Sequence, residues 1–417
     1  MISGAKLRFA RQARGYSQQQ LAGMAGVSRQ AVSAVESGQS DPSLRVALAL
    51  AQALGMTVEE LFGAEGAIEA VSARVVGGDP GARGLGQLAL APGARVTLAP
   101  VGDSFVALPL AGPTVSRAGF LSAGGLLAEQ PPHESNVPGA LAAGGSRDRP
   151  GKSRVDPGID PERAVARTAA VRPIGPPRPT LVVAGCDPAL PLLTEPLGLL
   201  DPPIGLSWWP CSSQEALRLA AEGLVHAAGA HLRDRSGEYN TGTAAELLSA
   251  GGEVIGFSAW REGLVLGPAA GGDVAAVTDV VRHGLRLVNR EPGAEARRLL
   301  DRELKGAGID AGQVPGYQTM AAGHLQIADA IAAGLADAGV ACEPAALAYG
   351  LAFIPLATER FDLVIPAMHA ASREVQALLK VLGSRWLLDQ LASLPGYDPS
   401  SCGQHIATLP GKPVPVR

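Results

Sequence analysis

Aromatic side chains are scarce: Phe, Tyr and Trp make up 4% of the 417 residues. Any core must therefore be aliphatic, and the 47% share of hydrophobic residues is enough to build one. Cysteine is nearly as rare, with four residues at 186, 211, 342 and 402 and no C-x-x-C. That spacing excludes a disulfide-built scaffold and a cysteine-clustered zinc site. No apolar run reaches ~18 residues, so no membrane-spanning helix and no membrane partner are expected. The opening MISGAKLRFAR has charge but no apolar stretch behind it, unlike a secretory signal. The expected location is the cytoplasm. The net charge of −4 is too small for a polycation, so contact with nucleic acid must be local.

What charge there is lies unevenly. Residues 1–45 carry Lys6, Arg8, Arg11, Arg14, Arg29 and Arg45 against Glu36 and Asp41, a net of +4 that leaves −8 on the remainder. This basic stretch has helical periodicity from Gly4 to Phe62, with Leu21, Met24 and Ala25, then Val32 and Val35, then Leu44, Ala47, Leu48, Ala51 and Leu54 on successive apolar faces. Gly15 ends a first helix, Ser17-x-x-Gln20 and Thr57-x-x-Glu60 form capping boxes, Ser28 caps a third helix, and Gly38 ends it. Five short helices are expected within residues 1–66.

The rest divides by composition. Residues 70–128 hold short apolar runs between Gly and Pro (Ala94–Leu98, Ser104–Leu110) and read as a small β subdomain. Residues 129–179 hold ten prolines and no aromatic, and read as a disordered linker. From residue 180 to 400, strand-like runs (Thr180–Gly185, Ile204–Trp209, Leu224–Leu232, Arg286–Asn289, Ala352–Pro355, Phe361–Ile365) alternate with helical segments, as in a mostly parallel α/β sheet. Residues 401–417 read as a tail.

Residues 4–62 resemble the Xre-type, lambda-repressor-like helix-turn-helix family. The matching residues run in order: Leu7-Arg8-x-x-Arg11, Tyr16-Ser17-Gln18-Gln19-Gln20-Leu21-Ala22, Ala25-Gly26-Val27-Ser28-Arg29-Gln30-Ala31-Val32-Ser33, Glu36-Ser37-Gly38, and Leu54-Gly55-Met56-Thr57. In such a domain the N-terminal residues of the second helix of the motif enter the major groove. Here these are Ser28, Arg29, Gln30 and Ser33, and Arg and Gln suit guanine and adenine edges. The resemblance implies a backbone-phosphate contact for Gln18, an operator-DNA partner and a homodimer. The bland alternative is a helical dimerisation domain with a solvated polar face.

Residues 180–400 resemble the periplasmic-binding-protein-like domain of the molybdate-type substrate-binding family, in the form fused to helix-turn-helix proteins. The likeness rests on Val182–Leu190, Ala227–Leu232, Gly237-Glu238-Tyr239-Asn240, Asn289–Arg297, Gly334–Gly339 and Phe353-Ile354-Pro355-Leu356. It implies a type II, two-lobed α/β fold with a ligand cleft. Polar helix starts at Ser212–Ser213, Thr241–Thr243 and Gly293 could present backbone N–H groups to an oxyanion such as molybdate. Asp187, Ser212, Ser213, His231, Tyr239, Asn240, Arg290, Gly293, Arg297 and Asp337 are the candidate ligand contacts. Singly, Ser212 and Thr243 read equally as ordinary caps and His231 as structural. Where relatives carry a Gly-Ser-Gly-type turn, this chain has Gly293-Ala294-Glu295. A carboxylate there would repel an anion unless Arg290 and Arg297 offset it. The i, i+5 spacing of His226 and His231 suits neither a helix face nor a strand face, so no metal site is expected from them. No G-x-S-x-G elbow accompanies Ser236 and His231, so no catalytic residues are assigned. No resident cofactor is expected. The multidomain chain reads as a transcriptional regulator with a ligand-sensing module. A DNA-bound protein with a ligand-free dimerisation platform is the rival reading.

Overall fold

The computed structural model describes residues 3–62, 70–76, 92–110, 121–128, 166–234, 237–270 and 273–411. Two compact units divide the chain, Met1–Glu69 and Ala70–Arg417.

The first unit is all helical: α1 (Ser3–Ala13), α2 (Gln18–Ala25), α3 (Arg29–Glu36), α4 (Leu44–Leu54) and α5 (Val58–Phe62). Local chemistry sets the boundaries. Ser17 caps α2 and forms a reciprocal capping box with Gln20, while Ser28 and Ser43 cap α3 and α4. Leu7, Leu21, Val32, Leu50, Leu54 and Leu61 close one aliphatic core.

The second unit begins with β1 (Val71–Val76), β2 (Arg95–Val101), β3 (Ser104–Pro109), β4 (Gly125–Leu127) and β5 (Ala166–Pro173), which close a barrel in the order β1-β3-β2-β4-β5. The stretch read as a disordered linker thus supplies a barrel strand. β5 pairs antiparallel with β1 from Val71↔Val171 to Val76↔Ala166. Its backbone ladder and the buried Val171 hold it, so its poverty in large apolar side chains misled the compositional reading. Residues 129–165 of that linker lie outside the described residues. Alternation gives the barrel two faces. Val75, Val96, Leu98 and Ala107 fill its interior, while Val76, Ala99, Val101, Val106 and Leu108 share a core with the α/β sheet.

That sheet contains β6 (Thr180–Ala184), β7 (Gly205–Trp209), β8 (Ala227–Ala230), β9 (Gly252–Leu266), β10 (Leu287–Arg290), β11 (Met320–Ala321), β12 (Ala338–Cys342), β13 (Ala352–Pro366), β14 (Tyr397–Asp398) and β15 (His405–Leu409). The order β11-β10-β12-β9-β13-β8-β6-β7 places two 15-residue strands, β9 and β13, in the middle. They pair antiparallel along their length, with register shifts at Pro355/Ala357 and Phe361/Asp362. One half of this ribbon joins β6–β8 and the other joins β10–β12, so the chain crosses twice between two lobes. The helices α6 (Thr194–Gly198), α7 (Ser213–Ala221), α8 (Thr241–Leu247), α9 (Val277–Arg282), α10 (Glu295–Gly306), α11 (His324–Ala332), α12 (Glu343–Ala348), α13 (Arg373–Leu382) and α14 (Arg385–Ala392) complete the lobes.

Four sequence expectations change here. The sheet is mixed rather than mostly parallel, because the crossing strands β9 and β13 pair antiparallel with each other and with β12 and β8. β9 did not register as a strand, because Gly252, Gly256, Gly263, Arg261 and Glu262 interrupt its apolar pattern. The two runs Ala352–Pro355 and Phe361–Ile365 are one strand, continued through Thr358-Glu359-Arg360 by pairing with β9. The tail folds as β15 on the edge of β9, from His405↔Ile255 to Leu409↔Gly252. Residues 412–417 lie outside the described residues. Among the described residues no helix is long and apolar enough to cross a membrane.

Candidate functional site

In the helical unit, Ser28, Arg29, Gln30 and Ser33 are all exposed on one side of α3, while Val32 and Val35 are buried on the other. The Ser28 hydroxyl accepts the Ala31 N–H at 3.1 Å and so serves as a helix cap as well. Gln18 is half-buried and donates to Glu36 Oε2 at 2.9 Å. Its amide therefore links α2 to α3 in addition to any contact it makes outside the protein.

In the two-lobed unit, the carboxyl ends of the parallel strands converge on the crossing ribbon, the usual ligand position in open α/β sheets. Cys186 and Asp187 follow β6, His231 follows β8, Arg290 ends β10 and Cys342 ends β12. Trp260 and Glu262 on β9, and Glu359 and Phe361 on β13, lie at alternate positions. Trp260 pairs with Glu359 across the ladder. The His231 ring packs 5.2 Å from the Trp260 ring and 5.9 Å from that of His324, the first residue of α11. Close approach is possible because residue 229 is glycine, since a Cβ there would collide with the Phe361 ring.

Several expected contacts are absorbed by the fold. Asp187 accepts from Tyr397 Oη at 2.5 Å, from the Ala189 N–H at 2.7 Å and from Ser258 Oγ at 3.2 Å, so its carboxylate is satisfied internally. Burial nonetheless holds its pKa up at about 6. Asn240 is the only non-glycine among the described residues with positive φ (63°). It accepts the Leu232 N–H and donates to Asp362, which pins the turn into α8. Tyr239 donates its hydroxyl to the Thr358 carbonyl at 3.0 Å, beside Glu359. Ser212 caps α7. Buried Ser213 accepts the His231 N–H at 3.2 Å, which fixes that histidine's backbone. Gly293, at φ 94°, stands against this helix start: a Cβ would lie 3.3 Å from Ser212 Oγ and 2.7 Å from Gln214 Oε1.

Two expectations about charge are corrected. Asp337 lies at the amino end of β12, opposite the convergent end, where Arg286 donates to it at 2.8 and 3.0 Å. It therefore does not face the cleft. Glu295 is buried, but Arg302 neutralises it at 2.6 Å, with Arg298 at 3.7 Å, rather than Arg290 or Arg297. Arg297 donates to the Arg290 carbonyl at 2.9 Å and lies 4.7 Å over the Tyr317 ring. Arg290 is buried and forks onto Glu291 through Nε and Nη2, both at 2.9 Å. Its Nη1 has no partner among the described residues.

Residues that sequence reasoning missed complete the site. Both carboxylate oxygens of Glu262 and of Glu359, both ring nitrogens of His231, His324 Nε2 and Trp260 Nε1 are buried without a hydrogen-bond partner among the described residues. Such groups ordinarily cost ~1–3 kcal/mol each, so a folded domain rarely collects them in one place without a use. Burial, then Glu359 and Glu295, push the Glu262 carboxyl well above its usual range. Burial and Glu295 hold Glu359 at about 8. Burial and then Arg290 depress His231 to about 3. Burial raises the Cys186 thiol to about 12. The signal that could have revealed the pair is Trp260-x-Glu262 and Glu359-x-Phe361, an aromatic and an acid two apart in opposite order on antiparallel strands. His226 does not join His231. It accepts the Val182 N–H at Nδ1 and packs 5.4 Å from His369.

The helix-turn-helix sequence profile matches residues 7–61, and that of the PBP superfamily domain matches residues 195–383. The protein YvgK of Bacillus subtilis (strain 168) is 27% identical over 233 residues, spanning 55% of this chain and 74% of its own length. A Clostridium pasteurianum protein encoded in the 5′ region of a ferredoxin 2Fe-2S gene is 32% identical over 112 residues, 27% of this chain and 99% of its own. A helix-turn-helix-type transcriptional regulator of Methanocaldococcus jannaschii is 40% identical over 57 residues, 14% of this chain and 86% of its own. With its capped recognition-type helix and its two lobes joined by crossing strands, the chain belongs to the helix-turn-helix family through its N-terminal unit and carries a PBP-like domain in its C-terminal one.

Proposed function

We propose that the chain is a cytoplasmic transcriptional regulator that binds operator DNA through α3, as a homodimer, and senses a small ligand between the lobes of its C-terminal unit. The observation that carries this reading is the pairing of an exposed Arg29–Gln30–Ser33 face with a buried set of unpartnered polar atoms in the cleft. Dimerisation fits the symmetry of operators, whose half-sites lie about one helical turn apart. A module kept only for dimerisation has no use for unpaired buried carboxylates, so the ligand-free reading is the weaker one.

The chemistry of the cleft bears on the ligand. The Ser212–Ser213 helix start and Arg290 Nη1 suit an anion. Glu262 and Glu359, when ionised, oppose a free dianion such as molybdate, and they favour a ligand that brings positive charge to them. The matching profiles are those of a DNA-binding and a ligand-binding domain, which favours binding over catalysis. Fluorescence anisotropy of the full chain on operator sequences selected from random DNA, with and without candidate ligands, tests the proposal. Sequence-selective binding that a ligand shifts 5- to 150-fold, the range of ordinary coupling, is expected. Sequence-independent binding, or affinity that no ligand changes, overturns it.

A further inference from the structure

We propose that the cleft holds a divalent transition-metal ion, coordinated by His231, Glu262 and Glu359. This deepens the reading of the cleft as the ligand site. The three side chains come from separate elements: the end of β8 and the two crossing strands β9 and β13. His231 Nδ1 lies 3.7 Å from Glu262 Oε2 and 4.0 Å from Glu359 Oε2, and all three side chains are 0–1% exposed. One donor atom from each lies within 4.8 Å of the other two.

These separations are too long for hydrogen bonds, which fall near 2.7–3.2 Å. They approach the edges of a coordination polyhedron: bonds of about 2.0–2.2 Å at tetrahedral angles place neighbouring ligands about 3.3–3.6 Å apart. A contraction of a few tenths of an ångström brings the two histidine–glutamate edges to those lengths, and the two glutamates, within 4.8 Å of each other, close the third. Two buried acids face one neutral imidazole with no hydrogen bond between them and the ring; a dication displaces the protons that burial holds on the acids and satisfies all three groups at once. The imidazole selects a transition metal over Mg²⁺ or Ca²⁺.

The surrounding groups have distinct places. Cys186 Sγ forms a separate close group with His231 and His324 and is not part of the His231–Glu262–Glu359 group. His324 is not counted as a ligand. Its Nδ1 accepts the Cys342 N–H at 3.2 Å, so in the neutral ring Nε2 carries the proton. The cations that face the glutamates have carboxylate partners of their own: Arg290 pairs with Glu291, and Arg302 with Glu295. Because β9 and β13 are the strands that join the lobes, an ion on them ties the lobes at their crossing.

The test uses the full chain, stripped with a chelator and dialysed, with Zn²⁺ and Co²⁺ as probes in titration calorimetry, thermal melting and visible absorption. One equivalent per chain, a raised melting temperature and a Co²⁺ d–d spectrum are expected. Glu262→Gln, Glu359→Gln and His231→Gln should each weaken binding at least 100-fold. Glu262→Gln keeps the side-chain shape and replaces a buried titratable acid with a neutral amide, so without metal it should melt no lower than the wild type. His405→Ala, at the exposed His405–Glu253 pair on the molecular surface, should bind as the wild type does. Failure of Zn²⁺ and Co²⁺ to bind, or equal binding by the three cleft variants and the wild type, overturns the proposal. If metals are inert but an organic cation raises the melting temperature, the metal assignment falls and the cleft remains the ligand site; if neither acts, both readings fall.

Discussion

The Arg11 guanidinium clamps the Glu36 carboxylate from two nitrogens, at 2.6 Å from Nε and 3.0 Å from Nη2, while Gln18 donates to the same carboxylate at 2.9 Å. Three helices therefore meet on one side chain that is itself 0% exposed. Burial raises the carboxyl pKa, but the Arg11 and Gln18 hydrogen bonds more than reverse that, and the group stays ionised. Removing one partner of such a pair leaves the other charge buried alone, at a cost of ~3–5 kcal/mol. Glu36→Ala in the full chain should therefore melt the helical unit early, seen as a separate low-temperature loss of far-ultraviolet ellipticity. A melting curve unchanged from wild type would show that the clamp contributes nothing.

With α3 held by that clamp, its exposed side chains can read DNA. Arg29→Ala and Gln30→Ala should each cost ~1–3 kcal/mol on the selected operator and little on random sequence. Affinity should fall with salt, as expected for the net +4 of residues 1–45. Equal losses on both DNAs in anisotropy titrations would mean that α3 contacts only the backbone.

How much of this was legible depended on how local the deciding interactions are. The Ser17, Ser28 and Ser43 caps act within three or four residues, and Ser17-x-x-Gln20 can be read directly as a helix start. His231 and Arg290 were reachable because they stand at the ends of apolar strands, and Ser213 because it opens a helix. β5 and β9 were not, since partners far along the chain decide their conformation: β5 is held by β1, and β9 by β13. Glu262 and Glu359 escaped for the same reason. A glutamate beside an arginine in a glycine-interrupted run reads as solvent-facing until the partner strand turns its face inward.

Gly229 and Phe361 offer a sharper test of the crossing ribbon. A methyl group at 229 would overlap the Phe361 ring, and overpacking of this kind typically costs ~1–3 kcal/mol. Gly229→Ala should destabilise the C-terminal unit by at least that much in urea denaturation, and it should weaken ligand or metal binding by displacing the ring beside His231. Adding Phe361→Leu should recover part of the loss. Strict additivity of the two substitutions would show that the contact does not couple them.

His226 gives a pH dependence outside the cleft. It is 2% exposed, it accepts the Val182 N–H, and the titratable group facing it is His369, whose own pKa is lowered by burial. Burial first, and His369 second, bring His226 down to about 4 from the ordinary 6.5. The unfolded chain therefore takes up a proton as the pH falls through about 6.5, while the folded chain resists until about 4. The contribution to stability is complete above the unfolded value and is lost progressively between the two, in total on the order of 3–4 kcal/mol at about 1.4 kcal/mol per unit. His226→Gln keeps an acceptor for Val182 but cannot titrate. Its melting temperature should fall less steeply than that of the wild type between pH 6.5 and 4, by the equivalent of one bound proton. Parallel slopes for the two proteins would place the proton uptake elsewhere.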